Sequence, residues 1–211
     1  MHDPGRRVGE RGAAHGRVAL LIIDMINSFE FEGGENLRAK AGAVADAIVG
    51  LRRAADACGA PVIYVNDNYG RWRASPDQII DACASASPEA GAVVRRLTPR
   101  EHDYFVVKPQ VSSFYATNLP VLLPKLGVNR VALTGVAADI CILFTAADAH
   151  MREYDLWAPL NAVASEDDRR RDWALDIMRK SMDAETAATD ELSFADWIAR
   201  DARSYGSPAL R

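Results

Sequence analysis

The sequence predicts an α/β protein, a three-layer α/β/α arrangement in which helices cover both faces of a parallel six-stranded sheet. Short apolar runs, typical of strands buried on both faces, recur along the chain and begin with RVALLII at residues 17–23. Helical patterns separate these runs, and strand–helix alternation is the mark of a parallel sheet. At 211 residues, 49% of them hydrophobic, the chain suits one domain with a substantial core.

In order, Arg17 to Ile23 is the first strand and ends at Asp24. A loop rich in Phe, Glu and Gly (residues 27–35) leads to a helix from Asn36 to Cys58, stopped by Gly59 and Pro61. Val62 to Val65 is the second strand, and NDNYGRWR (66–73) is the loop at its C-terminal end. Ser75-Pro76 and Ser87-Pro88 each read as an N-cap followed by proline at the first helical position. Tyr104 to Val107 is the third strand, ending at Lys108, and a helix runs from Asn118 to Leu126 before Gly127. Arg130 to Leu133 is the fourth strand. The helix after it spans Asp139 to Arg152, with Asp139 as its cap. Tyr154 to Trp157 is the fifth strand, and Ser165 opens a helix that reaches about Met182. A weak sixth strand falls at Glu185 to Ala187, and the last helix at Ser193 to Ala202. The expected organisation is a tail over residues 1–16, one domain over 17–200 and a second tail over 201–211.

Composition excludes several classes of function. A net charge of −4 gives no basic footprint for nucleic acid or an anionic membrane, and no apolar run is long enough to span a bilayer. The three cysteines, Cys58, Cys83 and Cys141, have the spacing of neither a disulfide framework nor a zinc site. Their odd number points to a reducing, cytoplasmic setting, and Cys58 and Cys83 read as packing residues. Residues 1–16 lack the apolar segment of a secretory signal.

In parallel α/β sheets, ligands bind beyond the C-terminal ends of the strands. Asp24, Lys108 and Cys141 all sit at or just past such ends. Thr134-Gly135 breaks the fourth strand, and Cys141 follows near a helix start. There the helix dipole can hold a thiolate and lower its pKa below the free value of roughly 8.5. A thiol nucleophile needs a base. His2 and His15 lie in the tail, and His102 precedes a strand, away from this edge. His150 lies about 13 Å along the helix from Cys141 at 1.5 Å per residue. Asp24 is the base that remains, with Lys108 stabilising both carboxylate and thiolate. The main-chain N–H of Cys141, with those of the turn at Val136 to Ala138, offers an oxyanion site. Plainer roles stay open: Asp24 as a loop cap, Lys108 paired with a surface carboxylate, and Cys141 as a small buried hydrophobe.

Three separated segments, LLIIDMINSF, FVVKPQVSSFYATNL and GVAADICILFTAADAHMREYDLWAP, agree in order, spacing and residue type with one family. Over about residues 17 to 190 the chain resembles the isochorismatase-like cysteine hydrolases, relatives of nicotinamidases and N-carbamoylsarcosine amidases. The resemblance implies a Rossmann-like parallel six-stranded sheet and assembly into a homodimer or homotetramer. It also implies a catalytic triad of Asp24, Lys108 and Cys141. A cis peptide at Val136-Ala137, aiming the Ala137 N–H into an oxyanion hole shared with Cys141, belongs to the same implication.

Departures from the family's patterns narrow the expectation. Nicotinamidases carry histidines after strand two that hold a metal, whereas YVNDNYGRWRAS here has Asp67 and no histidine. No metal and no cofactor are therefore expected. Isochorismatases cleave a vinyl ether by acid catalysis and do not need the thiol, so an intact Cys141 favours C–N hydrolysis of a small amide or carbamoyl compound through a thioester. The competing expectations are an isochorismatase-type ether hydrolase and a non-catalytic binding or thiol-sensing protein. Phe29, Trp72 and Phe114, in loops at the reactive edge, are expected to wall the substrate, and Asp67 to accept from its N–H. Tyr69 and Tyr115 are weaker candidates.

Overall fold

The computed structural model describes residues 17–200, so both expected tails lie outside the described residues. Within them, β1 (Arg17–Ile23), β2 (Val62–Asp67), β3 (Tyr104–Lys108), β4 (Val128–Val136), β5 (Asp155–Trp157) and β6 (Val163–Ala164) form one sheet. The order is β3-β2-β1-β4-β5, β6 also pairs with β4, and every pairing is parallel. Strand β5 lies against Arg130–Ala132 of β4, and β6 continues that flank at Gly135 and Val136. The direction of winding reverses between β1 and β4, which opens a crevice at their C-terminal ends.

The period-two alternation of β1 divides the core between two faces. Val18, Leu20 and Ile22 pack with α1 (Gly34–Cys58), α2 (Pro76–Ala86), α3 (Pro88–Arg96) and α7 (Phe194–Ala199). Ala19, Leu21 and Ile23 pack with α4 (Leu119–Lys125), α5 (Leu143–His150) and α6 (Asp168–Ser181). No helix among the described residues is long and apolar enough to cross a membrane. The punctuation read from the sequence acts as expected at several ends. Gly59 closes α1 in the left-handed region, Ser75 forms a capping box with Gln78, and Ser87 caps α3.

Four features differ from expectation. The sixth strand is Val163–Ala164, not Glu185 to Ala187. Glu185 makes a single parallel bridge to Trp157, because its own carboxylate takes the N–H groups of Thr186 and Ala187 and turns the chain out of the sheet. The segment after β4 opens as one π turn, Ala138–Ile142, before α5. Asp139 caps nothing there; it is held by the Ser165 hydroxyl at 2.5 Å and by Arg170 at 2.6 Å. Asp167, rather than Ser165, caps α6 by accepting from Arg169 N–H. Cys83 is buried as expected of a packing residue, but Cys58 is exposed at the end of α1.

Gly135 permits the crevice to be this narrow. It has φ +112°, pairs with Ile23, and a Cβ there would overlap the Ile23 carbonyl. Because the obstruction is backbone, Gly135→Ala should cost about 1–3 kcal/mol through strain and displacement of β1 from β4. The expected outcome is a lower urea midpoint with an unchanged denaturant slope. An unaltered midpoint would show that the strands can part freely.

Candidate active site

The crevice between β1 and β4 gathers the three residues singled out in the sequence. β1 ends at Ile23, and Asp24 adopts φ +53°, a conformation that Asp tolerates better than branched residues. One carboxylate oxygen of Asp24 accepts from the Asp67 N–H at 2.8 Å; the other lies 2.9 Å from Lys108 Nζ. Lys108, the last residue of β3, is completely buried. Its ammonium also donates to the Gln110 carbonyl at 3.2 Å and to Cys141 Sγ at 3.5 Å, and lies 3.7 Å from the Asp67 carboxylate. The Asp24 carboxylate is also close enough to the Cys141 thiol to act on its proton affinity. The Val136–Ala137 peptide just before it is cis, and Ala137 and Cys141 both line the cavity over these groups.

Electrostatics here depart from the expectation of a ready thiolate. Burial first, and the neighbouring Asp24 carboxylate second, push the Cys141 thiol up to about 12, outweighing Lys108. The capped α-helix start on which the sequence argument leaned is not there: Cys141 lies in a π turn without a side-chain cap. Burial also raises Asp24 above its ordinary range, against the pull of Lys108. For Lys108, burial works downward, but Asp24, Cys141 and Asp67 together carry it upward and keep the ammonium charged. The resting arrangement is therefore a neutral thiol beside a carboxylate–ammonium pair.

The cavity encloses about 330 Å³. Asp67 lines it as expected, and so does Tyr69, whose hydroxyl donates to the Ile26 carbonyl at 2.8 Å. Three expected wall residues do not. Phe29 is buried in the core on the α1 face, where its own chain direction (φ +58°) turns it inward. Phe114 is buried in the opposite core against Tyr154, under the Arg152 guanidinium. Trp72 is 73% exposed and outside the lining. Tyr115, one of the weaker candidates, is exposed as well. The apolar walls come instead from Phe31, Leu37 and Ile140, and a further carboxylate from Glu166. Phe31 lies in the same Phe-, Glu- and Gly-rich loop as Phe29, so that loop carried the signal without the right position. Glu166 follows the two-residue β6, which has too little pattern to be seen.

Among the described residues there is no cluster of three or more His, Cys, Asp or Glu side chains placed to hold a metal. A larger cavity of about 620 Å³ opens at the opposite edge of the sheet, beside Arg17, Pro61 and Tyr104. Its Arg100 is already paired with Asp56 and Asp103, and none of Asp24, Lys108 or Cys141 reaches it.

Fold and site together define a doubly wound α/β protein with a thiol, a carboxylate and an ammonium at its topological switch point. The chain belongs to the isochorismatase family: the model of the isochorismatase domain matches residues 18–191. It is 39% identical over 174 residues to the uncharacterized isochorismatase family protein YaaI of Bacillus subtilis strain 168, an alignment covering 82% of this chain and 95% of that one. Enterobactin synthase component B of Escherichia coli K12 is 34% identical over 151 residues, covering 70% of this chain and 53% of that protein; this chain thus spans about half its length. Among solved structures, the N-carbamoylsarcosine amidase of Thermoplasma acidophilum superposes with a TM-score of 0.63 at 26% identity, covering 84% of this chain and 99% of that one. The protein is an isochorismatase-family hydrolase.

If the Asp24 carboxylate holds the thiol in its protonated form, removing that charge while keeping Lys108 should lower the Cys141 pKa. Asp24→Asn is expected to alkylate faster with iodoacetamide at neutral pH than the wild type, read at Cys141 by mass spectrometry. Slower or equal labelling would mean that burial alone sets the thiol.

Proposed function

We propose that the protein hydrolyses a C–N bond of a small amide or carbamoyl compound through a thioester on Cys141. The observation that carries this reading is the buried Lys108 ammonium touching both the Asp24 carboxylate (2.9 Å) and the Cys141 sulfur (3.5 Å), two groups that line one cavity. In the reading, Cys141 Sγ attacks the carbonyl carbon as its proton passes to Asp24, so no free thiolate accumulates. Lys108 stabilises the negative charge as it moves from carboxylate to sulfur. The N–H groups of Ala137 and Cys141 receive the carbonyl oxygen as it becomes an oxyanion. Protonated Asp24 then gives its proton to the departing nitrogen, and the C–N bond breaks. The same carboxylate, freed again, takes a proton from water as that water attacks the thioester, and the thiol leaves reprotonated. The amidase activity named for the Thermoplasma relative supports the C–N assignment.

The vinyl ether reading is favoured by the name of the matching family model. It needs Asp24 as an acid and Lys108 beside it, but not the sulfur. Replacing the sulfur separates the two.

Cys141→Ala is expected to reduce ammonia release from small amides to background, with the fold intact by circular dichroism. Turnover that survives sinks the thioester reading. A pH profile gives a second check. Since Asp24 must be ionised to act as base, kcat/KM should fall as pH drops through its pKa. Burial raises that pKa, so the acid limb should lie above the ordinary aspartate value of about 3.9. Asp24→Asn should lose about 10²–10⁴-fold and abolish the limb.

A further inference from the structure

The walls of the cavity carry charge that the proposed chemistry does not use. Asp24 is matched by Lys108 at 2.9 Å, and Asp67 lies 3.7 Å from the same ammonium. One cation thus serves two carboxylates. Glu166 adds a third carboxylate to the lining, and no arginine and no lysine lines the cavity among the described residues, Lys108 being buried behind it. Two cations close to Glu166 and its neighbours are occupied elsewhere. Lys40 Nζ is shared among the Ser165 carbonyl (2.9 Å), the Glu166 carbonyl (3.1 Å) and the Asp168 carboxylate (2.8 Å). Arg170 is paired with Asp139 at 2.6 Å.

Glu166 is also held in place. Its half-buried carboxylate packs against Gly33, where a Cβ would overlap it, and Gly33 precedes the first turn of the 25-residue α1. The positive end of that helix attracts a carboxylate. The wall around it is apolar, from Phe31, Leu37 and Ile140, so a charge on the ligand would be felt there at reduced dielectric.

We propose that Glu166 sets the charge selectivity of the cavity. It admits small carbonyl compounds whose far end carries a cation or N–H donors, and it rejects those that carry a carboxylate there. The inference rests on the reading of this cavity as the substrate site. It disfavours a dianionic enol-ether substrate, because nothing on the walls would neutralise two carboxylates.

The test uses one scaffold with three ends: 3-aminopropanamide (cationic), succinamide (neutral) and succinamate (anionic). Dissociation constants are measured by calorimetry with Cys141→Ala protein, and ammonia release is measured with the wild type. The cationic member is expected to bind about tenfold or more tighter than the anionic one. In Cys141→Ala/Glu166→Gln that ratio should fall toward one. Glutamine keeps the packing against Gly33, and the ratio with Glu166 present already tests the claim without a change at that position. Equal or tighter binding of succinamate, a ratio unmoved by Glu166→Gln, or no binding of any member overturns the inference. Charge-selective binding with no ammonia release would leave Glu166 as assigned and refute C–N hydrolysis. Ammonia release from succinamate as fast as from 3-aminopropanamide would do the reverse.

Discussion

A lysine ammonium with no exposure to solvent is the constraint around which this end of the molecule is arranged. Bringing such a charge out of water costs several kcal/mol unless partners replace its hydration. Lys108 receives those partners from three other places: Asp24 at the end of β1, Asp67 at the end of β2, and Cys141 beyond β4. The sheet order explains how one side chain reaches them all. With β3, β2, β1 and β4 adjacent and parallel, their C-terminal ends lie side by side, and a long side chain at the end of the outermost meets groups from the others. Removing Lys108 leaves Asp24 buried and unmatched, and removing Asp24 leaves the buried ammonium only the more distant Asp67 carboxylate, at 3.7 Å. The ion pair is therefore a structural commitment as well as a chemical device.

That commitment decides the protonation state of the thiol. A cysteine beside a lone lysine would ionise readily, but here the Asp24 carboxylate claims the ammonium first and lies against the sulfur. The pair is close to neutral as seen from Cys141, and burial then keeps the proton on sulfur. Burial makes Asp24 a stronger base than an exposed aspartate, against the downward pull of its own contacts. In the proposed mechanism, nucleophile and base are thus tuned together. The proton has a short path to a group whose affinity for it is enhanced, and the ammonium is already in place for the charge that remains.

That Asp24, Lys108 and Cys141 meet at one edge of the sheet was legible in the sequence because the polar residue marks a change of physical regime. The apolar run RVALLII ends where the strand leaves the sheet, and the residue that follows it, Asp24, stands at the C-terminal edge. Lys108 ends its strand in the same way, and Thr134-Gly135 announces the turn before Cys141. The cavity walls were not legible. Phe29 and Phe31 are two residues apart in a loop without a fixed period, so no rule of alternation says which one faces the ligand and which the core. Phe114 was misjudged for a similar reason, since an aromatic after a strand end can fold back as easily as it can project. Strand β6 escaped because two residues make no pattern, and Glu166 was lost with it.

The short strand matters beyond its length. Ser165, directly after β6, accepts from the Asp139 N–H at 3.2 Å and donates its hydroxyl to the Asp139 carboxylate at 2.5 Å. Asp139 lies within the π turn that carries Cys141, two residues before it. Lys40 on α1 meanwhile holds the carbonyls of Ser165 and Glu166. The wall bearing Glu166 is therefore fastened on one side to the nucleophile turn and on the other to the longest helix. An Asp139 freed from the helix cap predicted by its position does something the cap would not. It fixes the separation between the sulfur that would attack and the carboxylate that would select, and it does so through two hydrogen bonds and the Arg170 ion pair rather than through packing. The turn that carries Cys141 and the wall that carries Glu166 thus share one frame, and β6, the shortest strand, pairs with β4 where the sheet gives way to that turn.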